Sequence, residues 1–185
     1  MNRILQLSFI LFCTIVLSSF THIYKTTENE IVAEKNVKWY TWDEAVKANK
    51  KEKKKFFVDI YTDWCGWCKR MDAQTFEEAE VAAYLNKHFY PIKLDAEQKA
   101  NIVYNDYTFK WVEGGRRGVH ELAYSLLDGQ MSYPSLVFLT EKEERIMISK
   151  GFKAKDDFMK ELKYIEEEHF TKTSLSDYKT NGAKP

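Results

Sequence analysis

The stretch Phe56-Phe57-Val58-Asp59-Ile60-Tyr61-Thr62-Asp63-Trp64-Cys65-Gly66-Trp67-Cys68-Lys69 decides the fold. Its first six residues are aromatic or β-branched at nearly every position, the composition of a strand buried on both faces of a sheet, and Asp59 is the exception. Two cysteines separated by two residues follow, where the strand gives way to a helix. Cys65 then stands at a helix N-terminus, where unpaired amides and the positive end of the dipole favour thiolate over thiol. It is the candidate nucleophile. Cys68, one turn further in, is within reach of a mixed disulfide formed on Cys65 and is the candidate resolving thiol.

Downstream, a helical stretch puts Val81, Ala82, Leu85 and Phe89 on one face, and Tyr90 to Asp95 reads as the next strand, with Pro91 tolerable near its start. Strand, helix, strand implies a parallel pair with a right-handed crossover. Upstream, Thr41 and Glu44 have the spacing of a capping box, and Trp42, Ala45, Val46 and Asn49 follow at helical intervals. Lys50, Lys51, Lys53, Lys54 and Lys55 close that helix and read as cations at the negative end of its dipole, with a membrane-surface or nucleic-acid patch as the rival reading.

Beyond Asp95, Glu97 to Tyr107 and Val119 to Leu127 read as helical. Gly114 to Gly118, with Arg116 and Arg117, reads as a solvated loop rather than a binding site. Ser135 to Leu139 is a strand, and Glu141 to Glu144 turns the chain into an antiparallel partner at Arg145 to Ser149. Phe158, Leu162 and Ile165 mark a closing helix, and Thr171 to Pro185 is polar enough to be read as a disordered tail. No internal repeat is present.

The chain has 185 residues, 44% hydrophobic and 15% aromatic, enough for one ordinary core and short for two full domains. Its 28 basic residues balance 28 acidic ones, so the charge asks for neither nucleic acid nor an acidic substrate. Residues 1–20 have the form of a secretory signal, with Arg3 before the apolar run Ile4 to Phe20 and a small-residue cleavage point near Val16-Leu17-Ser18. The run is also close to the roughly 20 residues that span a bilayer, so an uncleaved anchor is the alternative. Cys13 follows the bulky Phe12, which argues against a lipid-attachment site. Residues 21–38 read as a linker and 39–170 as the domain.

Once the signal is removed, only Cys65 and Cys68 remain. A bridge between them closes so short a loop that it restricts little chain entropy, so the pair reads as chemistry rather than as a staple. The competing reading is half of a zinc site. The other ligand candidates, His22, His88, His120 and His169, contain no second pair at ligand spacing, and no metal is expected.

On these residues the sequence resembles the thioredoxin superfamily, in particular its exported thioredoxin-like members with a Trp-Cys-x-x-Cys-Lys motif and a long segment before the cis-proline. The match covers roughly Phe56 to Glu168, and Asp59 lies six residues before the first cysteine, as in thioredoxins. The resemblance implies an α/β fold, a thioredoxin-like central mixed sheet flanked by helices, with a helical insertion before the cis-proline. It implies Asp59 as general base for Cys68, and burial raises a carboxyl pKa toward the range such a role needs. The rival is a buried acid satisfied by a neighbour, and Lys93 falls where thioredoxins hold a lysine near that acid.

The resemblance also makes Pro134 the cis-proline packed against the cysteines, with the Tyr133 main chain left to bind an extended substrate segment. Trp64 and Trp67 then form an apolar rim for a partner protein, or are large rings in partial burial. Trp67 stands where thioredoxins commonly carry proline, and the interval from Asp95 to Pro134 exceeds that of a minimal thioredoxin. The implied function is thiol-disulfide exchange on protein disulfides outside the cytoplasm. No cofactor is expected beyond the Cys65–Cys68 disulfide, and a redox partner protein restores the pair. No histidine lies between the cysteines, so reduction is expected over oxidation. The alternative is a non-catalytic module that holds a partner through the aromatic rim.

Overall fold

The computed structural model describes residues 36–182. The expected signal or anchor at 1–20 and residues 21–35 of the expected linker lie outside the described residues.

Four strands make the central sheet: β1 (Lys55–Tyr61), β2 (Phe89–Asp95), β7 (Ser135–Leu139) and β8 (Arg145–Lys150), in the order β2-β1-β7-β8. β1 runs parallel to β2 and antiparallel to β7, and β7 runs antiparallel to β8, so the sheet is mixed. The first helix, α1 (Trp42–Asn49), opens on the anticipated capping box: Thr41 Oγ1 accepts from Glu44 N–H at 3.3 Å, and Thr41 N–H donates to the Glu44 carboxylate at 2.9 Å. Just before it, Tyr40 bridges Ile92 in parallel, which extends the sheet beyond β2.

Strand periodicity sends alternate side chains of β1 into two cores. Phe56, Val58 and Ile60 pack with Trp42, Ala45, Ile92 and Val137. Phe57 faces the other way, onto Met71, Val81, Leu85, Phe138 and Phe158. Phe57 is fully buried, so Phe57→Ala should cost about 3–5 kcal/mol. Asp59 shares the parity of Phe57 and therefore points to the side that carries the helices after the cysteines. Those helices are α2 (Gly66–Met71), a π-helical turn at Asp72–Phe76, and α3 (Ala79–His88). Phe89 is buried but opens β2 instead of ending α3.

Between β2 and β7 the expected helix over Glu97 to Tyr107 is absent. The segment forms a hairpin of β3 (Ile102–Tyr104) and β4 (Tyr107–Phe109), whose turn residues Asn105 and Asp106 both have positive φ. That is the conformation a tight two-residue turn between twisted strands requires, and asparagine and aspartate tolerate it. A second short pair follows, β5 (Trp111–Val112) with β6 (Val119–His120), and then the helix α4 (Glu121–Leu126), inside the range read as helical. The insertion is thus two hairpins and one helix.

The C-terminus also departs from expectation. After α5 (Lys155–Glu166) comes a 3-10 turn (His169–Thr171), and then α6 (Leu175–Asn181) occupies seven residues of the segment read as disordered. Tyr178 on α6 is buried against Tyr164, and Lys179 reaches the buried Glu161 of α5 at 2.7 Å. Packing on α5 stabilises a helix too short to persist alone. The other domain edge moves as well. Val37, in the expected linker, is buried in the Phe57 core, and Asn86 holds the backbone at Asn36 and Lys38.

Candidate active site

Cys65 and Cys68 are joined in a disulfide, with Cα atoms 5.3 Å apart. Cys65 is the N-cap of α2, and its Sγ accepts the Cys68 backbone N–H at 3.1 Å. That amide is one of the unpaired donors of a helix start, so the same contact favours negative charge on Cys65 sulfur when the bond is open. Both cysteines are largely buried, at 5% and 2% exposure.

Asp59 and Lys93 are direct neighbours across the β1–β2 register. Lys93 Nζ donates to Asp59 Oδ2 at 2.6 Å and also pairs with Oδ1 of Asp72, from the π-helical turn. Asp59 Oδ1 is buried with no hydrogen-bond partner among the described residues. Burial pushes the Asp59 carboxyl up to about 6, outweighing the attraction of Lys93. For Lys93 the balance is opposite: burial acts to lower its pKa, but Asp59 and Asp72 together hold it above the ordinary lysine value. Asp72 was not singled out in the sequence. Its signal was its position four residues after Cys68, on the same side of a helix.

The tryptophans diverge. Trp64, 52% exposed, meets Tyr133 edge-on at 5.8 Å between centroids, and its Nε1–H donates to Glu97 at 2.9 Å. Trp67, 55% exposed, packs on Phe152 at 5.7 Å and lies under the Arg70 guanidinium. The Tyr133–Pro134 peptide bond is cis. Among the described residues nothing hydrogen-bonds to the main-chain N–H or C=O of Tyr133. Burial together with Glu97 and Asp95 pushes the Tyr133 phenol up to about 12, so it stays a neutral donor.

The described histidines are engaged elsewhere, and His22 lies outside the described residues. His120 Nδ1 accepts Leu122 N–H at 3.3 Å and caps α4, which leaves the proton on Nε2 for Ala100 O at 3.1 Å. Its pKa is lowered by burial, in keeping with a neutral ring. His88 pairs with Glu166 and His169 with Glu167. Among the described residues no three His, Cys, Asp or Glu side chains converge as a metal site.

Residues 24–173 match the Thioredox_DsbH family, described as a protein of unknown function, DUF255. The chain belongs to this family. Spermatogenesis-associated protein 20 of Rattus norvegicus is 30% identical over 87 residues, 41% of this chain and 11% of the rat protein. The disulfide bond reductase DsbH of Chlamydia pneumoniae is 30% identical over 71 residues, 37% of this chain and 42% of that one. The matched stretches thus span less than half of either relative. Among solved structures, a DsbH oxidoreductase superposes with a TM-score of 0.52 at 19% identity, over 71% of this chain and 85% of that one. The fold is that of the thioredoxin superfamily, and Cys65 and Cys68 form a bonded pair at the N-terminus of α2.

Proposed function

We propose that the chain is an extracytoplasmic thiol-disulfide oxidoreductase that reduces protein disulfides. The observation that carries this reading is the Cys65–Cys68 disulfide at the mouth of α2, with a buried carboxylate on the strand that leads into it. The disulfide bond reductase named among the relatives supports the direction, as does the absence of histidine between the cysteines. The form of residues 1–20 supports export.

In the reduced protein the Cys65 thiolate attacks one sulfur of a substrate disulfide. The substrate S–S bond breaks, the leaving thiolate takes up a proton, and a mixed disulfide with Cys65 forms. Cys68 then loses its proton, with Asp59 as acceptor, and attacks Cys65 Sγ. The second substrate thiolate leaves and is protonated, the Cys65–Cys68 bond closes, and two electrons have passed to the substrate. A dithiol partner protein reverses the change on the pair. The main chain of Tyr133 and the exposed ring of Trp64 receive the substrate segment beside the disulfide.

Trapping tests the assignment of roles. Cys68→Ser is expected to accumulate a covalent adduct with a disulfide peptide, visible by intact mass, whereas Cys65→Ser forms none. Adduct on Cys65→Ser, or none on either variant, overturns the reading. A reduction potential near or below about −230 mV supports the reductase direction, and one near about −120 mV overturns it. Intact mass of the protein recovered from the extracytoplasmic fraction tests export. A chain that binds partners but never exchanges thiols is the non-catalytic module.

A further inference from the structure

The loop read from sequence as solvated stands against Trp64, the residue before Cys65. Gly114 to Gly118, the tip of the β5–β6 hairpin, lines an open groove of about 520 Å³ together with Trp64 and Tyr133. Tyr124 and Met131 complete its apolar wall. Arg116 and Arg117 stand on its rim, exposed, with the Arg117 guanidinium 5.3 Å from the centre of the Trp64 ring. Trp64 is the residue before Cys65, so an occupant of this groove packs on the chain neighbour of the reactive pair.

The charge of the groove is uneven. Among the described residues neither arginine has a carboxylate within ion-pair distance, whereas Arg145, on the far side of the sheet order, is paired with Asp128 at 2.8 Å. The one acid lining the groove, Glu97, already accepts from the Trp64 indole. Two unpaired cations and a single carboxylate therefore line an apolar trough, a net positive rim in a chain whose formal net charge is +0. The loop is also geometrically fixed. Gly118 has φ +70, its N–H donates to Gly114 O at 2.7 Å, and a Cβ there would strike the Trp111 ring and come within 2.7 Å of Val112 O. Only glycine closes this turn and leaves the arginines where they are.

We infer that the β5–β6 hairpin is a specificity element: it selects substrate segments that carry acidic residues beside an apolar side chain next to the disulfide to be reduced. This rests on the oxidoreductase reading for the word substrate, but the surface itself is testable without it. Guanidinium groups pair bidentately with carboxylates, and unpaired exposed charge at a rim acts on partner choice and encounter more than on raw affinity.

The experiment uses the oxidised full chain and two fluorescent twelve-residue peptides. Each has a central leucine and a serine in place of cysteine, one flanked by aspartate and glutamate and the other by lysine. Anisotropy is expected to give roughly ten-fold tighter binding of the acidic peptide at low salt, shrinking toward parity near 1 M salt, where screening acts within about 3 Å. R116Q/R117Q should bring the ratio near one, and R116E/R117E should invert it. Gly118→Ala, which moves the arginines without removing them, should weaken the preference. Equal binding of both peptides by the wild type, or a ratio unmoved by charge reversal, overturns the inference. Cysteine-containing disulfide versions of the same peptides, with a small neutral disulfide as reference, report thiol exchange separately. If the acidic preference holds but no exchange occurs, the oxidoreductase reading fails and the surface stands. If exchange occurs equally on both peptides and the affinities match, the surface fails and the oxidoreductase reading stands.

Discussion

Asp59 and Glu161 are built alike and stand in different places. Each is a carboxylate 1% exposed, with one oxygen on a lysine and the other without a hydrogen-bond partner among the described residues. Both lysines keep a partial route to solvent, Lys93 at 20% side-chain exposure and Lys179 at 27%. The difference lies in the surroundings. Asp59 sits on β1, on the face that carries α2 and Cys68. Its lysine is shared with Asp72 and borders a cavity of about 540 Å³ with Trp39 and Phe76, through which solvent can exchange protons. Glu161 lies under α6, and its lysine, itself on α6, ties that helix to α5. A buried carboxylate paired to lysine is therefore no sign of chemistry by itself. What sets Asp59 apart is that its strand leads into the Cys65–Cys68 pair, the basis of the role proposed for it.

Four variants test how far this contrast holds. The largest effect is expected at the proposed nucleophile: Cys65→Ser should lower peptide-disulfide turnover by at least about 10³-fold and leave the unfolding midpoint of the reduced protein nearly unchanged. Next is Asp59→Asn. Loss of the proton acceptor should slow turnover roughly 10²-fold at pH 7, and the fall in rate on acidification through about pH 6 should disappear.

The same variant has a signature in stability. Because folding raises the Asp59 pKa from 3.8 to about 6, the native state holds its proton over a range in which the unfolded chain has lost it. This group's contribution therefore falls as pH rises from about 4 to about 6 and stays low above that, a loss on the order of 2–3 kcal/mol. Asp59→Asn should flatten that slope and be the more stable protein at pH 8, as read by denaturant titration.

On the other side of the comparison, Lys179→Met strands the Glu161 charge and should cost about 2 kcal/mol, less than a fully enclosed pair because Lys179 is partly exposed and Lys153 lies nearby. Turnover should stay within about two-fold of wild type. The smallest effect is expected from Glu161→Gln, which leaves a buried amide and frees Lys179 to solvent, at about 1 kcal/mol by the same titration, with the pH profile of turnover unmoved. If that profile shifts, the two carboxylates are coupled and the contrast fails.

Much of the site was legible because it is local. The run Phe56 to Lys69 carries strand, cysteine pair and acid in one piece, and the Thr41–Glu44 capping box needs only three-residue spacing. Two of the misses had local signals as well. Ile102-Val103-Tyr104 and Tyr107-Thr108-Phe109 flank Asn105-Asp106, a β-branched and aromatic pattern around a turn pair, yet strands of three residues are too short for periodicity to outweigh a helical reading. Glu161 falls among Phe158, Leu162 and Ile165 at helical intervals, which marks it as facing the core.

By itself, then, the sequence determined a doubly buried strand feeding a cysteine-capped helix, because burial, capping and helix-end electrostatics act over a few residues. The tertiary structure alone decided three things. It brought Asp72 to Lys93, through a π-helical turn that no periodicity announces. It ordered the seven-residue α6, which is held by Tyr178 and Lys179 on a helix earlier in the chain. It also set Arg117 against Trp64 across 53 residues of chain, since a loop's neighbours depend on how the hairpin beneath it packs and not on its own composition.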